Sequence, residues 1–289
     1  MKEYSYHDVN LRGTIERVTY RTTNRQGEER NKYCLVYLPK GYDEKDCEKK
    51  YNILYLIHGG GGSPDAWLDC CQVKNMLDFC IDAGEIEPLI VVFPTFYKER
   101  IARLGPPVAE EERSHVLFFQ KELAEELLPA IEGRYHTYAR NGSQEALRAS
   151  RQHRAIGGFS MGGATTWFAF THHLDLFARF APLSGDCWEV EAKGGGARPR
   201  ETAAALRDAV AQFGYTPDDF RIFCATGAQD IACAPLSAQI DAMKQLPDTF
   251  RFQEDLTQGN AHYFVAEGKV HCYEHVYQYL YNILPYLFL

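Results

Sequence analysis

Four short apolar segments constrain the fold of this chain more than any other feature of its sequence. They comprise residues 51–57, 89–94, 153–158 and 221–227. Segments that are apolar at almost every position over this length are typical of strands buried on both faces of a sheet. Amphipathic helical patterns lie between them, as at residues 67–83 and 118–136. Strands that alternate with helices predict an α/β chain with a mostly parallel central sheet and helices on both faces.

An antiparallel edge is predicted at the N-terminal end of this sheet. Residues 13–20 and 32–39 alternate apolar and polar side chains, and the polar segment 22–28 between them contains a glycine. This pattern indicates a β-hairpin. Near the C-terminus, residues 261–266 predict the final strand and residues 273–284 predict a closing helix.

We expect a single domain over residues 1–289. No internal repeat or linker-like tract interrupts the chain. The glycine-rich segment 193–199 is predicted to be a flexible loop within the domain, because it is too short to separate two units.

The charge of the chain bears on its partners. Lys and Arg number 31 and Asp and Glu number 39, which gives a formal net charge of −8. An acidic chain binds nucleic acid and anionic membranes poorly, and no apolar run approaches the roughly 18–20 residues that span a bilayer. We therefore expect neither partner, while the sequence leaves the oligomeric state open.

The N-terminus and the cysteines predict a cytoplasmic protein. The first eight residues contain no apolar core like that of a signal peptide; a secreted protein from which the leader had been removed would look the same. The nine cysteines are odd in number and lack the spacing of metal ligands, so we expect reduced thiols and no metal site.

The segment Gly158-Phe159-Ser160-Met161-Gly162 predicts a catalytic nucleophile. It matches the Gly-x-Ser-x-Gly turn, in which small residues let a strand and a helix pass closely while the serine is exposed at the tip. An apolar strand precedes it and a helical pattern follows it. This context favours a nucleophilic Ser160 over a chance match in a glycine-rich stretch.

A second glycine-rich segment, His58 to Gly62, follows directly on the first apolar strand. Such loops present backbone N–H groups to an anion. In hydrolases with this serine turn, one oxyanion donor comes from such a loop and the other from the residue after the nucleophile. We therefore predict the N–H groups of Gly60 and Met161 as the oxyanion hole and a structural role for His58. Nucleotide binding is disfavoured, because no Gly-Lys-Ser/Thr ending is present.

The remaining catalytic groups should follow in the order acid and then histidine. Asp230 follows directly on the strand predicted at residues 221–227, and Asp186 is the rival acid because it also follows an apolar stretch. His271 lies in the loop after the final predicted strand, and His275 is the weaker candidate at the start of the closing helix. A Ser160–His271–Asp230 triad attacks an ester carbonyl and needs no cofactor or metal.

These residues resemble the feruloyl esterase and acetylxylan esterase family of carbohydrate esterases, and also the wider esterase D group. The matching pieces are residues 36–42, 56–63, 157–163, 183–186, 226–230 and 268–271, in family order. The resemblance implies an α/β-hydrolase that cleaves esters, with Ser160, Asp230 and His271 at the positions of the triad. The chain departs from many relatives after His271, where Cys272-Tyr273 replaces an Asp-Trp pair.

The resemblance also implies a substrate. The stretch Gly185-Asp186-Cys187-Trp188 looks like that of feruloyl esterases from microbes that degrade plant fibre, where Trp188 would wall the acyl pocket. Trp188, Asp186 and Trp167 are therefore the candidate substrate-binding residues. The expected substrate is a hydroxycinnamoyl ester of a plant cell-wall saccharide.

Three other functions occur on the same fold. An acetylxylan or other small-acyl esterase would use the same triad. A non-catalytic binding protein of the hydrolase fold need not retain Ser160, Asp230 and His271 together, and a serine peptidase of this fold would need a cap or propeller domain that this length does not provide.

Overall fold

One eight-stranded sheet forms the centre of the computed structural model, which describes residues 1–10, 12–96 and 108–289. The strands are β1 (Thr14–Thr23), β2 (Glu29–Leu38), β3 (Asn52–Ile57), β4 (Leu89–Phe93), β5 (Arg154–Phe159), β6 (Arg179–Leu183), β7 (Arg221–Gly227) and β8 (Ala261–Ala266). Their spatial order is β1-β2-β4-β3-β5-β6-β7-β8. β2 is antiparallel to β1 and β4, and the strands from β4 to β8 are mutually parallel. The predicted mostly parallel sheet with an antiparallel N-terminal edge is confirmed.

Helices cover both faces of the sheet. They are α1 (Ala66–Asp69), α2 (Val73–Asp82), α3 (Val108–Glu122), α4 (Leu128–Glu132), α5 (Gln144–Ala149), α6 (Met161–His172), α7 (Gly194–Ala197), α8 (Pro199–Phe213), α9 (Cys233–Met243) and α10 (Tyr273–Ile283). α2 and α10 pack on one face, and α3, α4, α6, α8 and α9 on the other. None of the helices described is long and apolar enough to cross a membrane.

The period-2 geometry of the strands explains why the central segments are continuously apolar. In β3, Ile53, Tyr55 and Ile57 belong to the core under α3 and α6, whereas Leu54 and Leu56 belong to the core under α2 and α10. Successive side chains of a strand point to opposite faces. Because both faces are covered, apolar side chains are favoured at almost every central position.

Several predicted elements differ from the structure. The helix predicted at residues 67–83 is two helices interrupted at residues 70–72, and the one predicted at 118–136 begins earlier, at Val108, and ends at Glu132 with a π-helical segment between α3 and α4. The sequence does not predict β6 as a strand, because it contains Pro182 and proline lacks the N–H that a central strand donates.

The predicted flexible loop at residues 193–199 is also wrong. Residues 194–197 form α7, Gly194 and Gly195 are buried, and α8 begins at Pro199. A Cβ on Gly195 would lie 2.4 Å from Gln239 Oε1 of α9, so the glycine there allows close packing.

Candidate active site

The candidate residues lie at one edge of the sheet, where the parallel strands end. Ser160 follows β5, Asp230 lies three residues after the end of β7, and His271 lies in the loop between β8 and α10. The carboxyl ends of neighbouring parallel strands meet at the same edge, which is where open α/β sheets carry their sites. The fold therefore brings together three side chains that are up to 111 residues apart in sequence.

Ser160 occupies a sharp turn between β5 and α6. Its φ of 57° lies in the left-handed region, which non-glycine residues adopt only under strain. A Cβ on Gly158 would lie 2.7 Å from Ile57 O, and one on Gly162 would lie 2.4 Å from the same oxygen. The two glycines thus let the turn pack directly against the end of β3.

A continuous hydrogen-bonded chain joins the three predicted triad residues. His271 Nε2 lies 2.9 Å from Ser160 Oγ, and His271 Nδ1 lies 2.6 Å from Asp230 Oδ1. Because the carboxylate accepts the Nδ1 proton, Nε2 is left as the acceptor for the serine proton. The structure places His275 elsewhere: its Nδ1 accepts a hydrogen bond from the N–H of Val270 in its own turn.

Asp230 is held as a carboxylate. Burial alone would raise its pKa, but the hydrogen bonds from His271 and from the N–H of Ala232 outweigh this effect and lower the pKa below its usual range. The loops that carry Asp230 and His271 are also bonded to each other, since Gln229 N–H donates to Lys269 O at 3.0 Å. This backbone hydrogen bond ties the loop of the acid to the loop of the histidine.

The segment from His58 to Gly62, which we call the glycine loop, lies beside the serine turn. A Cβ on Gly60 would lie 3.9 Å from Met161 Sδ, so the glycine loop is in contact with the side chain of the residue after Ser160. His58 is buried, with Nδ1 2.7 Å from Gly59 O and Nε2 2.7 Å from Thr95 Oγ1. These contacts agree with the structural role predicted for His58.

The three predicted substrate-binding residues occupy different environments. Trp188 is 7 % exposed, and its indole N–H donates to Asp186 Oδ1 at 3.0 Å. The other carboxylate oxygen of Asp186 accepts from Gly196 N–H, so Asp186 orients Trp188 and closes its own loop rather than pointing to His271. Trp167 has no exposed surface and donates to Gly185 O at 3.0 Å. Its side chain therefore influences a ligand only through the residues packed around it.

Two residues of α3 border the site, although sequence reasoning did not identify them. Arg113 donates to the backbone oxygens of Trp188 and Glu189, both at 2.6 Å. Glu112 Oε1 would lie 3.6 Å from a Cβ on Gly60. Both are charged residues in a predominantly polar helical stretch, so nothing local distinguishes them from solvated surface residues.

In the part of the chain that the structure describes, no three His, Cys, Asp or Glu side chains are grouped to hold a metal ion.

The fold and the site define an α/β-hydrolase. A mostly parallel sheet, a serine turn between β5 and α6, and an acid and a histidine after later strands occur in the order typical of this class. The family model "Esterase", described as "Putative esterase", matches residues 26–282. The chain belongs to this esterase family.

Individual relatives agree with this assignment. The chain is 39 % identical over 277 residues to endo-1,4-beta-xylanase Y of Acetivibrio thermocellus, covering 96 % of this chain and 23 % of the relative. It is 30 % identical over 193 residues to an endo-1,4-beta-xylanase/feruloyl esterase of Xylanibacter ruminicola, covering 65 % of this chain and 24 % of the relative. The chain thus spans about a quarter of the length of these curated relatives.

A solved structure resembles the whole chain. It is a serine-to-alanine mutant of the feruloyl esterase module from Clostridium thermocellum complexed with sinapinate, with 36 % sequence identity and a TM-score of 0.80. The match covers 99 % of this chain and 96 % of that one.

Proposed function

We propose that this protein is a serine carboxylesterase that hydrolyses hydroxycinnamoyl esters, such as feruloyl esters, of plant cell-wall saccharides. The observation that carries the proposal is the hydrogen-bonded chain from Ser160 through His271 to Asp230 at the end of the parallel sheet. The names of the relatives support the substrate class, since they include a feruloyl esterase and a feruloyl esterase module bound to sinapinate.

In the proposed reaction, Ser160 Oγ attacks the ester carbonyl carbon while His271 Nε2 takes its proton. Asp230 stabilises the imidazolium and fixes its tautomer. The tetrahedral intermediate collapses to an acyl-enzyme, and His271 returns the proton to the departing sugar oxygen. Water then attacks the acyl-enzyme by the same route and releases the acid.

The N–H groups of Gly60 and Met161 bind the oxyanion in this mechanism. Both donors are backbone groups fixed by the fold, so they need not reorganise when negative charge develops. Met161 is also the first residue of α6, where the partial positive charge of the helix N-terminus favours an anion. Removing one such donor in comparable enzymes costs about 10²–10³ in turnover.

Trp188 forms the aromatic wall of the acyl pocket in this proposal. Its indole is held by Asp186 and its backbone oxygen by Arg113. A fixed aromatic face suits a planar cinnamoyl group, because it offers a large contact area at little cost in side-chain entropy.

The predicted cytoplasmic location stays a prediction.

A rate comparison tests the proposal. We expect kcat/KM for methyl ferulate and methyl p-coumarate to exceed that for an acetylated xylo-oligosaccharide by about 10-fold or more, since only the cinnamoyl esters fill an aromatic pocket. Ser160→Ala should lower kcat by on the order of 10⁵-fold with a nearly unchanged melting temperature.

Faster turnover of the acetylated substrate would favour the small-acyl esterase instead. Activity retained by Ser160→Ala would refute the proposed nucleophile.

A further inference from the structure

Tyr273 connects three parts of the candidate site. It is the first residue of α10, two positions after His271. Its hydroxyl oxygen accepts a hydrogen bond from the N–H of Gly59 at 2.9 Å. Its ring packs edge-on against Trp67 and Phe159, with centroids 5.2 and 4.9 Å away. Phe159 in turn contacts the His271 ring at 4.5 Å.

The bond to Gly59 bears on the direction of the Gly60 N–H. Gly59 O lies 2.7 Å from His58 Nδ1 and also accepts from Gly62 N–H at 3.1 Å. In a planar trans peptide, the carbonyl of Gly59 and the N–H of Gly60 point in opposite directions. The contacts on the Gly59 C=O therefore fix where the Gly60 N–H points. The Tyr273 bond fixes the preceding peptide plane, and with it the position of Gly59 itself.

Burial and packing keep the Tyr273 side chain in one protonation state and in one position. Burial raises the pKa of Tyr273 to about 12, although the Gly59 N–H partly opposes that shift. The phenol is therefore neutral at any pH at which the esterase would work. Trp67, against which the ring packs, is fully buried and donates to Ile57 O at the end of β3.

We propose that Tyr273 is a positioning residue for the oxyanion hole: by accepting from Gly59 N–H, it orients the glycine loop so that the Gly60 N–H meets the developing oxyanion. The inference rests on the proposed esterase function. It assigns a role to the segment after His271 that the triad alone does not explain. A misplacement of about 1 Å at such a donor can cost about 10² in rate.

Tyr273→Phe tests this role, with Tyr277→Phe as the matched control. Each variant removes one phenol oxygen from α10 and keeps the ring. The Tyr277 hydroxyl donates to Tyr4 O at 3.5 Å, away from the glycine loop. We expect Tyr273→Phe to lower kcat for methyl ferulate by about 10- to 100-fold with little change in KM, and Tyr277→Phe to stay within about 2-fold of wild type. Rates are normalised by titrating the reactive serine with a fluorophosphonate.

Inhibition by phenylboronic acid separates positioning from a purely structural role. Its adduct with Ser160 is a tetrahedral anion that uses the oxyanion hole, whereas ferulate as a product inhibitor does not mimic that state. We expect the inhibition constant of the boronic acid to rise in Tyr273→Phe by about the factor by which kcat/KM falls, with ferulate inhibition and the pH profile unchanged.

Equal kcat in the two tyrosine variants, or a boronic acid affinity that does not fall, would overturn the role of Tyr273. A wild-type protein without esterase activity, or an active Ser160→Ala variant, would instead overturn the proposed function.

Discussion

The turn that contains Ser160 and a second segment that packs beside it are held in place by different forces. In the serine turn at residues 158–162, the shape follows from the glycines, since a Cβ on Gly162 would lie 2.4 Å from Ile57 O and 2.9 Å from His58 O. The segment 184–198, which we call the Trp188 loop, is held by side chains that come from helices distant in sequence.

The contacts of the Trp188 loop come from three helices. Arg113 of α3 binds two of its backbone oxygens. Glu189 accepts from Thr171 and contacts His172 at the end of α6, and Gln239 of α9 accepts from Cys187 N–H at 2.7 Å. The shape of the serine turn is thus set by a local motif, whereas the Trp188 loop depends on long-range contacts that a few substitutions could remove.

After the loss of the nucleophile itself, Asp230→Asn should have the largest effect on turnover, and it should act on the triad without changing the Trp188 loop. An Asn amide can donate to His271 Nδ1 and leave the proton on Nε2, where it blocks proton transfer from Ser160. We expect kcat to fall by about 10⁴-fold, while ferulate binding, measured by calorimetry, stays unchanged. Weaker ferulate binding in this variant would show that the two regions are coupled.

The same variant changes the dependence of stability on pH. Folding lowers the pKa of Asp230 below its ordinary 3.8 because its hydrogen bonds outweigh burial. Such a carboxyl contributes stability above its unfolded pKa, and that contribution is lost as the pH falls through the folded pKa. Between about pH 5 and pH 3, the melting temperature of Asp230→Asn should therefore fall less than that of wild type. Parallel curves for the two proteins would contradict this assignment.

Gly162→Ala in the serine turn and Gly194→Ala in the Trp188 loop together test which of the two segments is more crowded. A Cβ on Gly162 would collide with two backbone oxygens, so we expect a loss of about 1–3 kcal/mol in the free energy of unfolding and a displaced serine with about 10²-fold lower kcat. Gly194→Ala in the Trp188 loop is the control, because its Cβ would be no closer than 3.4 Å to any neighbour. Similar losses in both variants would indicate that the serine turn is not specially crowded.

Arg113→Met should have the smallest effect and act on the Trp188 loop. It removes two charge-assisted hydrogen bonds to backbone oxygens but keeps most of the side-chain stem. We expect the preference for methyl ferulate over an acetate ester to fall by about 3- to 10-fold as Trp188 loses its support. Arg148→Met, which breaks an exposed pair with Asp175, should leave that preference unchanged. An unaltered preference in Arg113→Met would show that the Trp188 loop does not determine the choice between the two esters.

The sequence by itself determined the sheet and the identity of the candidate triad. Continuously apolar strands can only lie between two covered faces, and residues 221–227 and 261–266 form β7 and β8 with the predicted bounds. The shape of the Gly-x-Ser-x-Gly turn depends on residues within a few positions of one another. The sequence alone was therefore enough to identify Ser160 as the candidate nucleophile. The chain order, together with the position of each residue just after a predicted strand, then favoured Asp230 over Asp186 and His271 over His275.

Only the tertiary structure decided what surrounds those residues. Whether Trp167 is buried, whether Asp186 faces Trp188 or His271, and which helix supports the Trp188 loop all depend on packing between elements far apart in sequence. Single charged or aromatic residues such as Arg113 and Tyr273 carry no periodic signal. Their roles arise from the direction in which the fold points one hydrogen-bonding group, and that direction is set by long-range contacts.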